Sequence, residues 1–150
     1  METRQLSSLY QQLILEHYRK PRNKGELDDS TVEIHMANPV CGDEIRLQLR
    51  IEGDHIAEAK FVGHGCSISQ AAISMMTSLL EGRRLDDAEA LANRFTEMMH
   101  GDEAASKDKS LGDLRALQGV SKFPVRIKCA LIGFDALQEA LKKNALEDGH

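Results

Sequence analysis

The sequence predicts an α+β domain in which a three-stranded antiparallel sheet carries helices packed on one face. Three observations lead there. Alternating apolar and polar residues, the period of a half-buried strand, occur only between residues 32 and 62. The segments before and after them repeat their apolar residues at helical spacing. The strand-like segments are joined by short turn signals and grouped together, an order that gives one sheet with helices segregated to one side. A chain of 150 residues matches a single domain spanning 1–150. At that size about 70% of the unfolded surface can be buried, so a core needs no disulfide staples.

The elements follow in order. Leu6, Leu9, Tyr10, Leu13 and Ile14 predict a helix over 6–19, stopped by Lys20-Pro21. Residues 22–30 read as a polar loop. Val32, Ile34 and Met36 predict a strand ending at Asn38-Pro39. Ile45, Leu47, Leu49 and Ile51 predict the second strand, Gly53-Asp54 a turn, and Ile56, Ala59, Phe61 and Val62 the return strand. Helices are expected over 69–80, closed by Gly82, and over 86–99. Residues 100–110 are small and polar and predict a mobile or loosely packed insert. A short helix over 111–117 and a long one over 124–146 complete the chain, with Ser121 as a cap before Pro124. Ile127, Leu131, Phe134, Leu137 and Leu141 are expected to face inward. Met75, Met76, Met98 and Met99 fall at helical spacing and read as core filler.

Charge and composition exclude several functions. There are 19 basic and 24 acidic side chains, a net charge of −5 and a pI near 5.7. Non-specific nucleic-acid binding runs on clustered Lys and Arg, so nucleic acid is not an expected partner. Aromatic residues make up 4% and Trp is absent, so a stacking platform for single strands is not expected either. No apolar run approaches the roughly 18 residues that span a bilayer, so no membrane role is expected. Residues 1–10 lack the pattern of a signal peptide, which predicts a cytoplasmic protein.

The three cysteines, Cys41, Cys66 and Cys129, carry the chemical interest. An odd count in a reducing compartment favours metal or thiol chemistry over disulfides. Cys41 and Asp43 sit around Gly42 in the turn between the first two strands. Cys66 follows Gly63-His64-Gly65 at the end of the third strand. In a meander those two places share one edge of the sheet, and Cys129, near the start of the last helix, can cross it. Three thiols and one carboxylate match the four ligands of a tetrahedral zinc ion. Such a site carries excess negative charge, which Arg126, Lys128 and His64 can offset. Taken one at a time, a cysteine is more often a small buried hydrophobe than a ligand, and Asp43 after Gly42 is by default a turn residue. No close Cys-x-x-Cys pair exists. His17, His35, His55 and His100 are scattered without ligand spacing.

Three motifs together resemble one family. Asn38-Pro39-x-Cys41-Gly42-Asp43, Gly63-x-Gly65-Cys66-x-Ile68-Ser69 and Arg126-x-Lys128-Cys129-Ala130 are similar to the SufU family, a branch of the IscU/NifU-N-like iron–sulfur assembly proteins. Two departures set the chain apart from the IscU scaffold branch. Lys128 stands where that branch has a His, and Phe123-Pro124-Val125-Arg126 replaces its Leu-Pro-Pro-Val-Lys segment. The polar stretch around 100–120 matches an insertion of the SufU branch. The resemblance implies a SufU/IscU-like fold and a zinc-dependent sulfurtransferase role. It implies that Cys41 accepts persulfide sulfur from a SufS-type cysteine desulfurase, and that zinc is held by Cys41, Asp43, Cys66 and Cys129. A partner His entering the zinc coordination would release Cys41. A downstream iron–sulfur assembly scaffold would receive the sulfur. The alternative it leaves open is an IscU-like scaffold that assembles a cluster on the three cysteines, since thiolates serve zinc and iron alike.

Overall fold

The computed structural model describes residues 2–40 and 42–148, with side chains described over 8–40 and 42–146. Five helices and three strands follow in the order α1 (Glu2–Arg19), β1 (Val32–Asn38), β2 (Asp43–Glu52), β3 (His55–His64), α2 (Ser67–Leu80), α3 (Leu85–Met99), α4 (Glu103–Ser106) and α5 (Pro124–Asp148). A 3₁₀ segment, Lys109–Lys122, precedes α5 and is broken at Gly112, where φ is 53°.

The strands form an antiparallel meander in the order β1-β2-β3. Because side chains alternate across a strand, Asp43, Ile45, Leu47 and Leu49 of β2 all turn to one face, and all are buried. Ile56, Ala59 and Phe61 of β3 join them. Helix α5 lies against β1 and β2, and α2 packs against α1, α5 and β3. The expected two layers are therefore present. Helix α2 is buried nearly all round, from Ser69 to Thr77, because helices cover it on the side away from the sheet. The four expected core methionines are all buried, and Phe95 stacks on Phe134 with centroids 4.5 Å apart, joining α3 to α5.

Several boundaries and loops differ from expectation, each for a local reason. Helix α2 starts two residues early because Cys66 itself is the cap. Residues 22–30 are not a free polar loop. Asn23 and Gly25 hydrogen-bond along the edge of β3, and Leu27 is buried with its N–H donating to Gln48 Oε1 at 2.9 Å. The insert at 100–110 is packed rather than loose. Asp102 caps α4, Ala105 is fully buried, and Arg94 Nε donates to Asp108 Oδ2 at 2.8 Å. The short helix expected over 111–117 is part of the longer 3₁₀ segment, whose Leu111, Leu114 and Leu117 recur every three residues and are buried. Ser121 does not cap α5. Its hydroxyl donates to Gln118 O at 2.8 Å, and the carbonyl of Phe123 receives the first N–H groups of α5. In α5, Leu131 and Leu141 are half-buried, while Ala130, Ile132, Ala136 and Ala140 supply buried contacts.

His17, expected as one of several scattered histidines, is a buried tie between helices. Its Nδ1 lies 2.8 Å from Ser74 Oγ of α2 and its Nε2 lies 3.0 Å from Asp113 Oδ2 of the 3₁₀ segment. Ser74 Oγ also accepts the Arg22 N–H at 2.8 Å, which anchors the chain as it leaves α1.

Candidate metal centre

The centre forms where β2 begins, β3 ends and α5 passes. Asp43 is the first residue of β2 and continues the row of Ile45, Leu47 and Leu49, so its carboxylate is driven into the interior at 1% exposure. A buried carboxylate needs partners. Its Oδ1 accepts the Cys66 N–H at 2.9 Å and the Ser69 hydroxyl at 3.1 Å. These bonds hold Oδ1, and Oδ2 lies 4.0 Å from Cys66 Sγ.

Cys66 is the N-cap of α2. Its extended backbone, φ −72° and ψ 167°, turns the thiol over the open end of the helix, where Sγ accepts the Ser69 N–H at 3.5 Å. The positive end of the helix dipole thus lies beside the sulfur. The preceding Gly65 is required for space: a Cβ there would stand 2.3 Å from Asp43 Oδ1 and 2.6 Å from Ser69 Oγ. Cys129 lies near the start of α5 and is fully buried.

Asp43, Cys66 and Cys129 each bring one ligand atom within 4.8 Å of the others. Around a tetrahedral zinc ion, bonds near 2.0–2.3 Å put donors about 3.5–3.8 Å apart, so a small contraction closes the set. Two thiols and a hydrogen-bonded carboxylate are a donor set that fits zinc. The three come from β2, α2 and α5, as the meander geometry predicts. The fourth expected ligand and sulfur acceptor, Cys41, lies outside the described residues. On either side of it in sequence, Gly42 N–H donates to Asn38 O at 2.9 Å.

Of the expected compensating charges, Arg126 faces the sulfurs. The negative charges of Cys66 and then Cys129 hold its guanidinium above the ordinary arginine range, helped by hydrogen bonds to both. Lys128 is exposed on α5. His64 turns to the outer face of the sheet and pairs with Glu44 rather than with the centre. Sequence reasoning assigned no role to Ser69 or Gln70. Both are buried, and Gln70 Nε2 donates to Ser69 Oγ at 3.4 Å, steadying the hydroxyl that holds Asp43. The available signal for Ser69 was its place in the motif that begins at Gly63, three residues after Cys66.

Beside the centre, an open groove of about 690 Å³ runs between α1, the 3₁₀ segment and α5. Tyr10, Ile14, Ile68, Val120, Phe123 and Arg126 are among its lining residues. Val40, Phe123 and Val125 are exposed apolar side chains next in sequence to the segments that carry the centre.

A helix-covered meander that gathers two thiols and a carboxylate at one sheet edge defines a class of protein with a candidate thiolate–carboxylate metal centre. The chain belongs to the NifU-like N-terminal domain family, whose model matches residues 9–130. It is 49% identical over 138 residues to the zinc-dependent sulfurtransferase SufU of Bacillus subtilis (strain 168), covering 92% of each chain. It is 40% identical over 145 residues to the iron–sulfur cluster assembly scaffold protein IscU of Streptococcus pyogenes serotype M1, covering 97% of this chain and 90% of that one. Among solved structures, FiSufU from the thermophile Fervidobacterium islandicum AW-1 superposes with a TM-score of 0.76 at 30% identity, over 86% of this chain and 93% of that one. The expected SufU/IscU-like fold is thereby borne out. No helix among the described residues is long and apolar enough to cross a membrane.

Proposed function

We propose that this protein is a zinc-dependent sulfur acceptor that takes persulfide sulfur from a SufS-type cysteine desulfurase and passes it to an iron–sulfur assembly scaffold. The observation that carries the reading is the convergence of Asp43, Cys66 and Cys129 with Arg126 beside the sulfurs. The likeness to a zinc-dependent sulfurtransferase supports the choice of metal and reaction. Asp43, Cys66 and Cys129 hold the ion together with Cys41, which is joined to Asp43 through Gly42. Zinc, when bound, keeps its thiol ligands deprotonated and fixes them in place.

Cys41, next in sequence to exposed Val40, is the acceptor. As a thiolate it attacks the outer sulfur of the donor persulfide. The donor S–S bond breaks, the donor cysteine leaves as a thiolate, and a new S–S bond forms on Cys41. The exchange is electron-neutral and needs no added oxidant. Arg126 balances negative charge at the centre, and Lys128 adds positive charge to its approach. Val40, Phe123 and Val125 are the apolar rim that meets the desulfurase.

The relatives named as scaffolds favour one second reading, cluster assembly on the same cysteines. One experiment separates the two. The purified protein is analysed for metal, then incubated with desulfurase and cysteine and weighed intact under non-reducing conditions. Zinc, a stimulated desulfurase and a gain of about 32 Da per added sulfur on wild type but not on Cys41→Ala are expected. Brown protein holding iron and sulfide would establish the scaffold reading instead. An undiminished adduct on Cys41→Ala would move the acceptor role to Cys66 or Cys129.

A further inference from the structure

A second set of metal-competent donors lies on the opposite face of the sheet from the core. His35 stands on β1, Glu44 on β2 and His64 on β3. Strand register brings them together. Glu44 pairs directly with His64, while His35 pairs with Arg46, the next residue along the same outer row as Glu44. Asp43 and Ile45, which flank Glu44, point into the core, and His35 and His64 pair with the outer row that Glu44 and Arg46 form, so all three leave the sheet on its outer side. The Glu44 carboxylate lies between the two imidazoles. Its Oε2 is 3.1 Å from His35 Nε2 and its Oε1 is 3.4 Å from His64 Nε2.

Directly opposed positions in a sheet hold their Cβ atoms about 4.5–5.5 Å apart, and diagonal ones about 7–8 Å. His35 and His64 stand on β1 and β3 with β2 between them, so the two imidazoles would meet one ion from opposite sides of the Glu44 carboxylate. The rings presently sit on different oxygens of Glu44, so closing on an ion requires rotation about their χ angles. Side-chain exposures of 60% for His35, 47% for Glu44 and 73% for His64 leave that rotation free. Two imidazoles and one carboxylate, with open positions for water, suit first-row divalent ions. Arg46, the cation next along the outer row from Glu44, does not oppose one: it is already paired with Glu26 and, at 3.0 Å, with Glu33.

We propose that His35, Glu44 and His64 form an accessory divalent-cation site of imidazole–carboxylate chemistry, separate from the thiolate centre. The site uses no thiol and stands independently of the sulfur-transfer reading. It borders the centre in sequence, with Glu44 following Asp43 and His64 two residues before Cys66.

The test uses the full chain without a polyhistidine tag, its resident metal determined beforehand. Nickel(II) is titrated in by calorimetry while imidazole resonances are followed by NMR. The expected result is one nickel ion per chain above the resident metal, with paramagnetic broadening of His35 and His64 and not of His55 or His100. His35→Gln, Glu44→Gln and His64→Gln should each weaken nickel binding at least tenfold with an unchanged far-UV spectrum, and His55→Gln should leave it unaltered. The proposal is overturned if no additional ion binds, if nickel only displaces the resident metal, or if binding survives both histidine substitutions.

Discussion

Asp43 occupies a place where strand alternation alone would put another Ile or Leu, and its charge is tolerable there only because its oxygens are engaged. Cys66 N–H and the Ser69 hydroxyl hold Oδ1, which leaves Oδ2 toward the sulfurs. Asp43→Ala should therefore retain zinc weakly through the cysteines and lose sulfur transfer; wild-type transfer would reduce Asp43 to a turn residue. Ser69→Ala removes the hydroxyl that orients the carboxylate. Loss of such a supporting bond typically lowers metal affinity by about 10–100-fold. A competition titration with a zinc chelator should show that loss, and unchanged affinity would mean that Ser69 serves the helix start alone. Cys66→Ala and Cys129→Ala should lose zinc and melt earlier, because each removes an anchor on a core helix. The convergence of Asp43, Cys66 and Cys129 was legible because each borders a strand end or a helix start. Ser69 and the His17–Ser74–Asp113 tie were not. Hydrogen bonds across 57 and 96 residues leave no periodic trace in a sequence.

Elements with a strong period were legible almost in full. The meander and the helices α1, α3 and α5 declare themselves because each buries one face over several turns or pleats, and α2 because its apolar residues keep helical spacing although it is buried nearly all round. What escaped was structure made by capping and by single buried residues. Leu27 and the 3₁₀ segment fix their surroundings through bonds to distant elements, and Ala105 by burial, in stretches whose composition reads as loop. Two of these element-level devices are open to measurement. Gly65→Ala would drive a methyl into Asp43 and Ser69, so the start of α2 must move away from β2. Overpacking of this kind costs about 1–3 kcal/mol. The variant should melt earlier and hold less than one zinc per chain, whereas full zinc content would show that the junction yields without cost. Asp108 caps the 3₁₀ segment, and bonds from the Ser110 hydroxyl and N–H, then Arg94, lower its carboxyl from 3.8 to about 2. Since the folded value lies below the unfolded one, its stabilisation is complete above about pH 4 and fades as pH falls through about 2. Asp108→Ala should accordingly lower the melting temperature at neutral pH, with the gap to wild type narrowing across that acid window. A gap independent of pH would assign the effect to packing rather than to the charge.

At the scale of the whole molecule, the metal centre is a tie between elements that the core holds together by other means. The apolar rows of β2 and β3, α2 and α5 form one continuous cluster. Metal-free protein should therefore keep its secondary structure. Removal of the ion nonetheless leaves Asp43, Cys66 and Cys129 converging, with Arg126 as a cation beside the sulfurs. The unfolded chain has no such arrangement, so metal affinity appears directly as folding stability. With free zinc at a thousand times its dissociation constant, the gain is about 4.1 kcal/mol. For a chain of this size, that corresponds to a rise in melting temperature of roughly 8–16 °C. Chelation should lower the melting temperature by at least that interval, with the far-UV signal retained below the transition. Adding zinc back should restore it in a concentration-dependent way, and the restoration should fail in Cys66→Ala and Cys129→Ala. If the metal-free and zinc forms melt together, the three donors are not a folding tie and the zinc reading of the centre fails with them.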